Sequence, residues 1–389
     1  MAAAEKIKKV KNYLAEETDK VGEIATQYGF TVIKPPHIES DDISKARQFK
    51  EFDFYADAEE KVALTRWYIE EKLENNPQPV AIQFKKPLPG GTARKKPGVE
   101  TYGFEIMGSS KSTSEALLIK CALAVLDDLG YDDVCVDINS IGDRESISRF
   151  ERELTGYIRK HIGDFPARLR ELTKKNHYSV LLDSPETREL SVSLPQTIAT
   201  LSDLGRIHFK EVLESLEAFE VMYKIKPNMI SNKLYAANTI FEIRQTESND
   251  LLCYGYRYAL AKKLGARREV PSVGMTIMVK KATKKVLVKN IKKPRYYLCQ
   301  LGPNAKLKCL NIVEMLRKEK IPVYHSITKD KITGQLSGAE YMHASHVLIM
   351  GQKEAIENTI VVRNISNREQ ETVPIKMLAE FLKKIEKGR

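Results

Sequence analysis

The chain has no continuous apolar run approaching the roughly 20 residues that cross a bilayer, and its first residues, Met1-Ala-Ala-Ala-Glu-Lys-Ile, lack the apolar core of a signal peptide. A cytoplasmic protein without a membrane anchor is the expectation. Cysteine is scarce and scattered: Cys121, Cys135, Cys253, Cys299 and Cys309 are odd in number and form no Cys-x-x-Cys pair. That pattern speaks against a disulfide framework and against a zinc knuckle, and leaves buried thiols as the expected state. Histidine is equally thin. His343 and His346 are three apart, but no further ligand set accompanies them, so no metal site is expected. Low-complexity tracts are missing too, and with 42% hydrophobic and 30% charged residues the balance is that of a folded soluble chain rather than a disordered one.

What the chain does have is positive charge. A formal net charge of +11 favours polyanionic partners through counterion release, although solubility alone also accounts for such a balance in many proteins.

The length of 389 residues suits two domains with a sizeable core. Ile7, Val10, Leu14, Val21, Ile24 and Ala25 recur near helical spacing and predict an amphipathic helix over 5–28, stopped at Gly29. FTVIKPP follows as a strand ended by Pro35-Pro36. QPVAIQFKKP and VETYGFEIMG predict a hairpin whose long tip, LPGGTARKKPG, is strongly basic. A helix is expected over Ser112–Leu129, with Ser112 and Glu115 placed as a capping box, and then a strand, DDVCVDINS. Residues 144–227 read as largely helical. Strands are expected at Leu234–Arg244, Leu251–Tyr258 and Val273–Met278, with a short helix at 258–264. The basic, proline-ended stretch 282–295 suits an interdomain linker. From Tyr296 strands alternate with helices, ending in a helix over 374–387, which describes a compact α/β unit with a partly parallel sheet. The boundaries read as 1–290, with a helical insertion at about 144–227, and 291–389.

KPGVETYG (96–103), then a helix, then DINSIGDRES (137–146), resembles the histidyl-tRNA synthetase family, in which a Q-x-G-x-E-x-x-G strand and an L-N-S-I-G strand have the same order. TIFEI (239–243), GYRYALAKKLG (255–265), SVGMTIM (272–278) and KITGQLSGAEYMHASHVLIMGQ (331–352) are similar to later parts of that family. The resemblance implies an α+β class II synthetase catalytic domain (an antiparallel sheet flanked by helices) followed by a small α/β anticodon-binding-like domain. It also implies a homodimer formed through residues about 5–40, with Pro36 in the place of an interface proline.

Activation of an amino acid joins a carboxylate to the α-phosphate of ATP, so the site must hold two anions together. Arginine suits this because its planar fork binds both bidentately. At the positions that the resemblance implies, those forks are gone. The motif 2 arginine matches Lys85, with Lys86 next, and the motif 3 arginine matches Lys281; these are the phosphate-site counterparts. The family's Arg-Gly-Leu-Asp-Tyr-Tyr signature matches Ser231–Ala236, so its arginine becomes Ser231 and its aspartate Leu234. The upstream Leu-Arg-Pro-Glu motif has no clear match, and Arg66 is its only candidate remnant. Glu100 and Tyr235 match amino-acid pocket residues, although Glu100 also reads as an ordinary polar residue on a strand face.

The leading expectation is therefore a synthetase-like protein without efficient aminoacylation, acting in RNA binding or regulation. Arg94, Lys95, Lys96, Lys292 and Lys293 are the candidates for contact with tRNA or another RNA. The alternatives are a divergent active histidine–tRNA ligase, which would use ATP and Mg, and a regulatory subunit of ATP phosphoribosyltransferase. No cofactor is expected outside the ligase alternative.

Overall fold

A computed structural model describes residues 13–49, 57–86, 98–163, 165, 167, 170–171, 194–231, 235–281, 288–289, 293–325, 329 and 331–387. The larger sheet has eight strands: β2 (Thr31–Val32), β3 (Val80–Lys85), β4 (Val99–Met107), β5 (Val134–Gly142), β6 (Tyr223–Ile225), β7 (Ala236–Gln245), β8 (Leu251–Tyr258) and β9 (Ser272–Lys280). Their order is β2-β3-β4-β9-β8-β7-β5-β6. The outermost pairs, β2 with β3 and β5 with β6, are parallel, and the inner ladders are antiparallel.

Alternation along these strands sorts side chains onto two faces. Tyr102, Phe104 and Ile106 of β4 join Val273, Met275, Ile277 and Val279 of β9 beneath two helices, α1 (Lys20–Gln27) and α4 (Thr113–Asp128). The opposite face carries Tyr254, Tyr256 and Tyr258 of β8 with Tyr235, covered by α2 (Ser40–Arg47) and α3 (Ala58–Glu70). We call these the helix side and the tyrosine side.

The second sheet has the order β12-β11-β13-β14-β15, formed by β11 (Tyr296–Gln300), β12 (Val323–His325), β13 (His346–Met350), β14 (Thr359–Asn364) and β15 (Gln370–Pro374). The first three are parallel, as expected of strand–helix alternation through α7 (Pro303–Lys318) and α8 (Ile332–Tyr341). The last two turn antiparallel.

Several expectations need correction. Asp19 accepts the Gly22 backbone N–H and caps α1, so the first described helix starts at Lys20. Residues before it run extended, with Ala15 N donating to Val32 O, and Glu17–Thr18 (β1) pairs with Val288–Lys289 (β10) inside the expected linker. Ser112 makes no capping bond: its hydroxyl donates to Glu211, while Glu115 is buried against Arg257 and His208. Within 144–227, α5 (Arg144–His161) and α6 (Asp203–Ala218) are helical, but Tyr223–Ile225 forms an edge strand, and residues 172–193 lie outside the described ones. The helix expected at 258–264 shrinks to a single 3₁₀ turn, Lys262–Leu264. The strand Gln370–Pro374 and the short helix Gln352–Glu357 were not anticipated. The terminal helix starts only at Leu378.

The two sheets meet at Tyr28. It is buried, its hydroxyl donates to Glu314 of α7, and its carbonyl accepts from His325 Nε2 at 2.8 Å. Burial pulls His325 down to about 4, with the Tyr28 carbonyl working in the opposite direction. A histidine held neutral in the fold stabilises it fully above its unfolded pKa of about 6.5, and that stability drains away as pH falls from there toward 4. We expect His325→Gln, which keeps a donor but cannot charge, to remove about 2 kcal/mol of this pH dependence in urea titrations between pH 7 and 4.5, with allowance for the ring's partial exposure.

Candidate functional site

The tyrosine side brings together groups from four elements. Asp57, just before α3, accepts the Tyr256 hydroxyl at 2.7 Å and the Tyr235 hydroxyl at 3.4 Å. Lys61, one turn further along α3, pairs with Glu105 of β4, whose other oxygen accepts the Tyr258 hydroxyl at 2.9 Å. Lys61 and Glu105 are 1% and 0% exposed at the side chain, so each charge depends on the other for compensation. Burial pushes the Tyr256 and Tyr258 hydroxyls well above their usual range, helped by Asp57 and Glu105 respectively, so both remain donors. Beside them Lys86 pairs with Glu60 at 2.8 Å.

The helix side carries a second cluster. Lys85 pairs with Glu100 at 2.7 Å and lies 3.9 Å from Asp19. The Tyr102 hydroxyl donates to Asp19 at 2.6 Å and to Glu100 at 3.0 Å. Glu100, Tyr102 and Phe104 share one face of β4, and Phe104 packs in the core under α1 and α4. Glu100 therefore does not stand with Tyr235. The two are on opposite faces of the sheet, which corrects the expectation that they line one pocket.

Comparison with known proteins bears on what these faces are. Residues 285–385 match the model of the anticodon binding domain. The histidine–tRNA ligase of Halothermothrix orenii is 27% identical over 338 residues, covering 83% of this chain and 80% of that protein. That of Listeria innocua is also 27% identical over 338 residues, covering 82% and 79%. The solved apo histidyl-tRNA synthetase of S. aureus shares the fold, with a TM-score of 0.50 at 22% identity and coverage of 93% of both chains. Over most of its length the chain is similar to histidine–tRNA ligases, and its fold is that of a histidyl-tRNA synthetase.

Against the family's Q-x-G-x-E-x-x-G pattern this histidyl-tRNA synthetase relative offers two carboxylates. KPGVETYG contains Glu100, but Gly-x-Glu-x-x-Gly recurs five residues on as Gly103-Phe104-Glu105-Ile106-Met107-Gly108. The second copy puts its carboxylate on the face of Tyr235, and Gly274 of β9 makes room for it, since a Cβ there would lie 2.3 Å from both Glu105 oxygens. Glu105 and Asp57 are the residues that sequence reasoning missed. The repeated glycine spacing was the available signal for the first; for the second no motif was present. One residue also separates Lys85, on the helix side, from Lys86, which reaches the tyrosine side.

The other matched positions are dispersed. Lys281 is exposed at the end of β9, its backbone N–H donating to Gly98 O at 2.7 Å. Ser231 precedes β7, and Leu234 lies outside the described residues. Arg66 is a strut: its Nε and Nη2 both bond Asp42 at 2.9 Å, with Glu70 and the His37 carbonyl alongside. Lys293 is exposed beside the second sheet, while Arg94, Lys95, Lys96 and Lys292 lie outside the described residues. Among the described residues no helix is long and apolar enough to cross a membrane.

Proposed function

We propose that this chain is a synthetase-like protein of the cytoplasm that binds tRNA or another structured RNA and does not aminoacylate efficiently. One observation carries the reading. Where the tyrosines of the catalytic sheet converge, a buried lysine of the chain itself is paired with the carboxylate, and the signature arginine is Ser231. Each lost contact to a developing charge costs about 10²–10³ in rate, and lysine cannot reproduce the bidentate fork. The anticodon binding domain at 285–385, together with the net charge of +11, supports the RNA half of the reading. It also counts against a regulatory subunit of ATP phosphoribosyltransferase, a family that normally lacks such a domain. A homodimer formed through the N-terminal segment belongs to the same proposal. Leu14, Phe30, Val32 and Ile33 line a mostly apolar cavity of about 700 Å³ with Trp67 and Tyr324.

Histidine-dependent exchange of pyrophosphate into ATP, run at high protein concentration, should give no signal. Exchange above background would establish the divergent ligase instead. Filter binding with tRNA should weaken steeply with salt, by about tenfold to a hundredfold between 50 and 200 mM if a few phosphates are neutralised. A flat salt response would remove RNA as the partner.

A further inference from the structure

A lysine ammonium removed from water is costly unless other groups replace its hydration. Around Lys61 the replacement comes from a carboxylate and two aromatic rings. Glu105 supplies the counter-charge, and the rings of Tyr256 and Tyr258 have centroids 5.5 and 5.3 Å from Nζ. Tyr258 and Tyr256 hold Glu105 and Asp57 through their hydroxyls. Three carboxylates, Asp57, Glu60 and Glu105, stand near two ammoniums, Lys61 and Lys86, so the described surroundings favour a cation. Aromatic faces combined with carboxylates form the chemistry that recognises organic cations.

We propose that this cluster is a binding site for a small organic cation, of the alkylammonium or imidazolium class, and that its occupant is Lys61. The side chain enters from α3 and places its ammonium where the charged group of a free ligand would sit, so the chain blocks its own pocket. The proposal deepens the reading of a non-activating site and rests on it. It accounts for a feature which that reading leaves open, namely why tyrosines and carboxylates converge there. They hold an internal cation.

Cutting the side chain back to Cβ leaves a space shaped like propylammonium. The full-length Lys61→Ala variant should melt below the parent protein. Propylammonium at about 100 mM should raise the variant's midpoint by about 3 °C, with imidazolium acting in the same direction. Neither should shift the parent, and neutral 1-propanol should shift neither protein. Equal shifts in both proteins, or none in the variant, would overturn the proposal. Should Lys61→Ala fail to fold, Lys61→Met keeps the stem without the charge. That variant should be less stable than the parent at pH 7, with the gap narrowing toward pH 4.5 as Glu105 takes up a proton; parity at pH 7 would show that the cluster needs no cation. These measurements involve no ATP or RNA. Pyrophosphate exchange by the parent would defeat the reading of the site, whereas absent rescue would defeat only the claim about its occupant.

Discussion

Arg257→Met is expected to destabilise the fold by about 3–5 kcal/mol at pH 7, the usual cost of stranding one partner of a buried ion pair. Arg257 is 4% exposed on the helix side of β8. Its Nε donates to Glu115 at 2.6 Å, Nη1 to the Ser109 carbonyl at 2.6 Å and Nη2 to the Lys111 carbonyl at 2.9 Å. Methionine fills the volume but leaves Glu115, which is fully buried, with His208 at 2.7 Å and no guanidinium. The sign with pH is fixed. Burial alone would push the Glu115 carboxyl up, but Arg257 and His208 more than offset it and hold the group at about 2. A depressed carboxylate gives stability that is full above its unfolded value and lost as pH falls toward the folded one. The gap between parent and variant in urea midpoints should therefore shrink between pH 5 and 3. A gap that stays constant would mean that Arg257 matters for its packing and not for its charge.

Gly274→Ala should cost about 2–3 kcal/mol through overpacking. Its Cβ would stand 2.3 Å from both Glu105 oxygens, a distance no relaxed structure tolerates. Glu105 cannot swing aside cheaply, because Lys61 and the Tyr258 hydroxyl fix it. Equilibrium unfolding measures the loss. A change below about 0.5 kcal/mol, the range of surface substitutions, would show that the carboxylate has room to move.

The fold was largely legible because β8, β11, β13 and β14 carry strong alternation or β-branched runs, and the motifs of the resemblance fall in order on β4, β5, β7, β8, β9 and β13. The polar edge strand Gln370–Pro374 has no such signal, since one buried residue, Val373, is all it presents to the core. The site was harder to read for a reason inherent in strands. Side chains alternate, so an error of an odd number of residues reverses the face. Glu100 and Glu105 differ by five, Lys85 and Lys86 by one, and in each case the first choice faced away from Tyr235. The N-terminal helix was overextended because Leu14 falls at helical spacing, whereas in the fold it bridges Ile33 of the extended segment.

The joint at Tyr28 bears on how the molecule folds. Val21, Ile24 and Ala25 of α1 and Leu310, Val313 and Leu316 of α7 belong to one uninterrupted apolar cluster. The tyrosine side of the larger sheet and the Tyr297 face of the second keep interiors of their own, but the faces turned toward α1 and α7 share one, and a break in the chain at the presumed boundary would wet a surface on both halves. The C-terminal domain is thus not built as a detachable module: part of its apolar surface is covered by α1 of the unit built on the larger sheet, and we expect the domain expressed alone to expose it. A lineage that gave up the chemistry of that sheet would still have to keep the sheet.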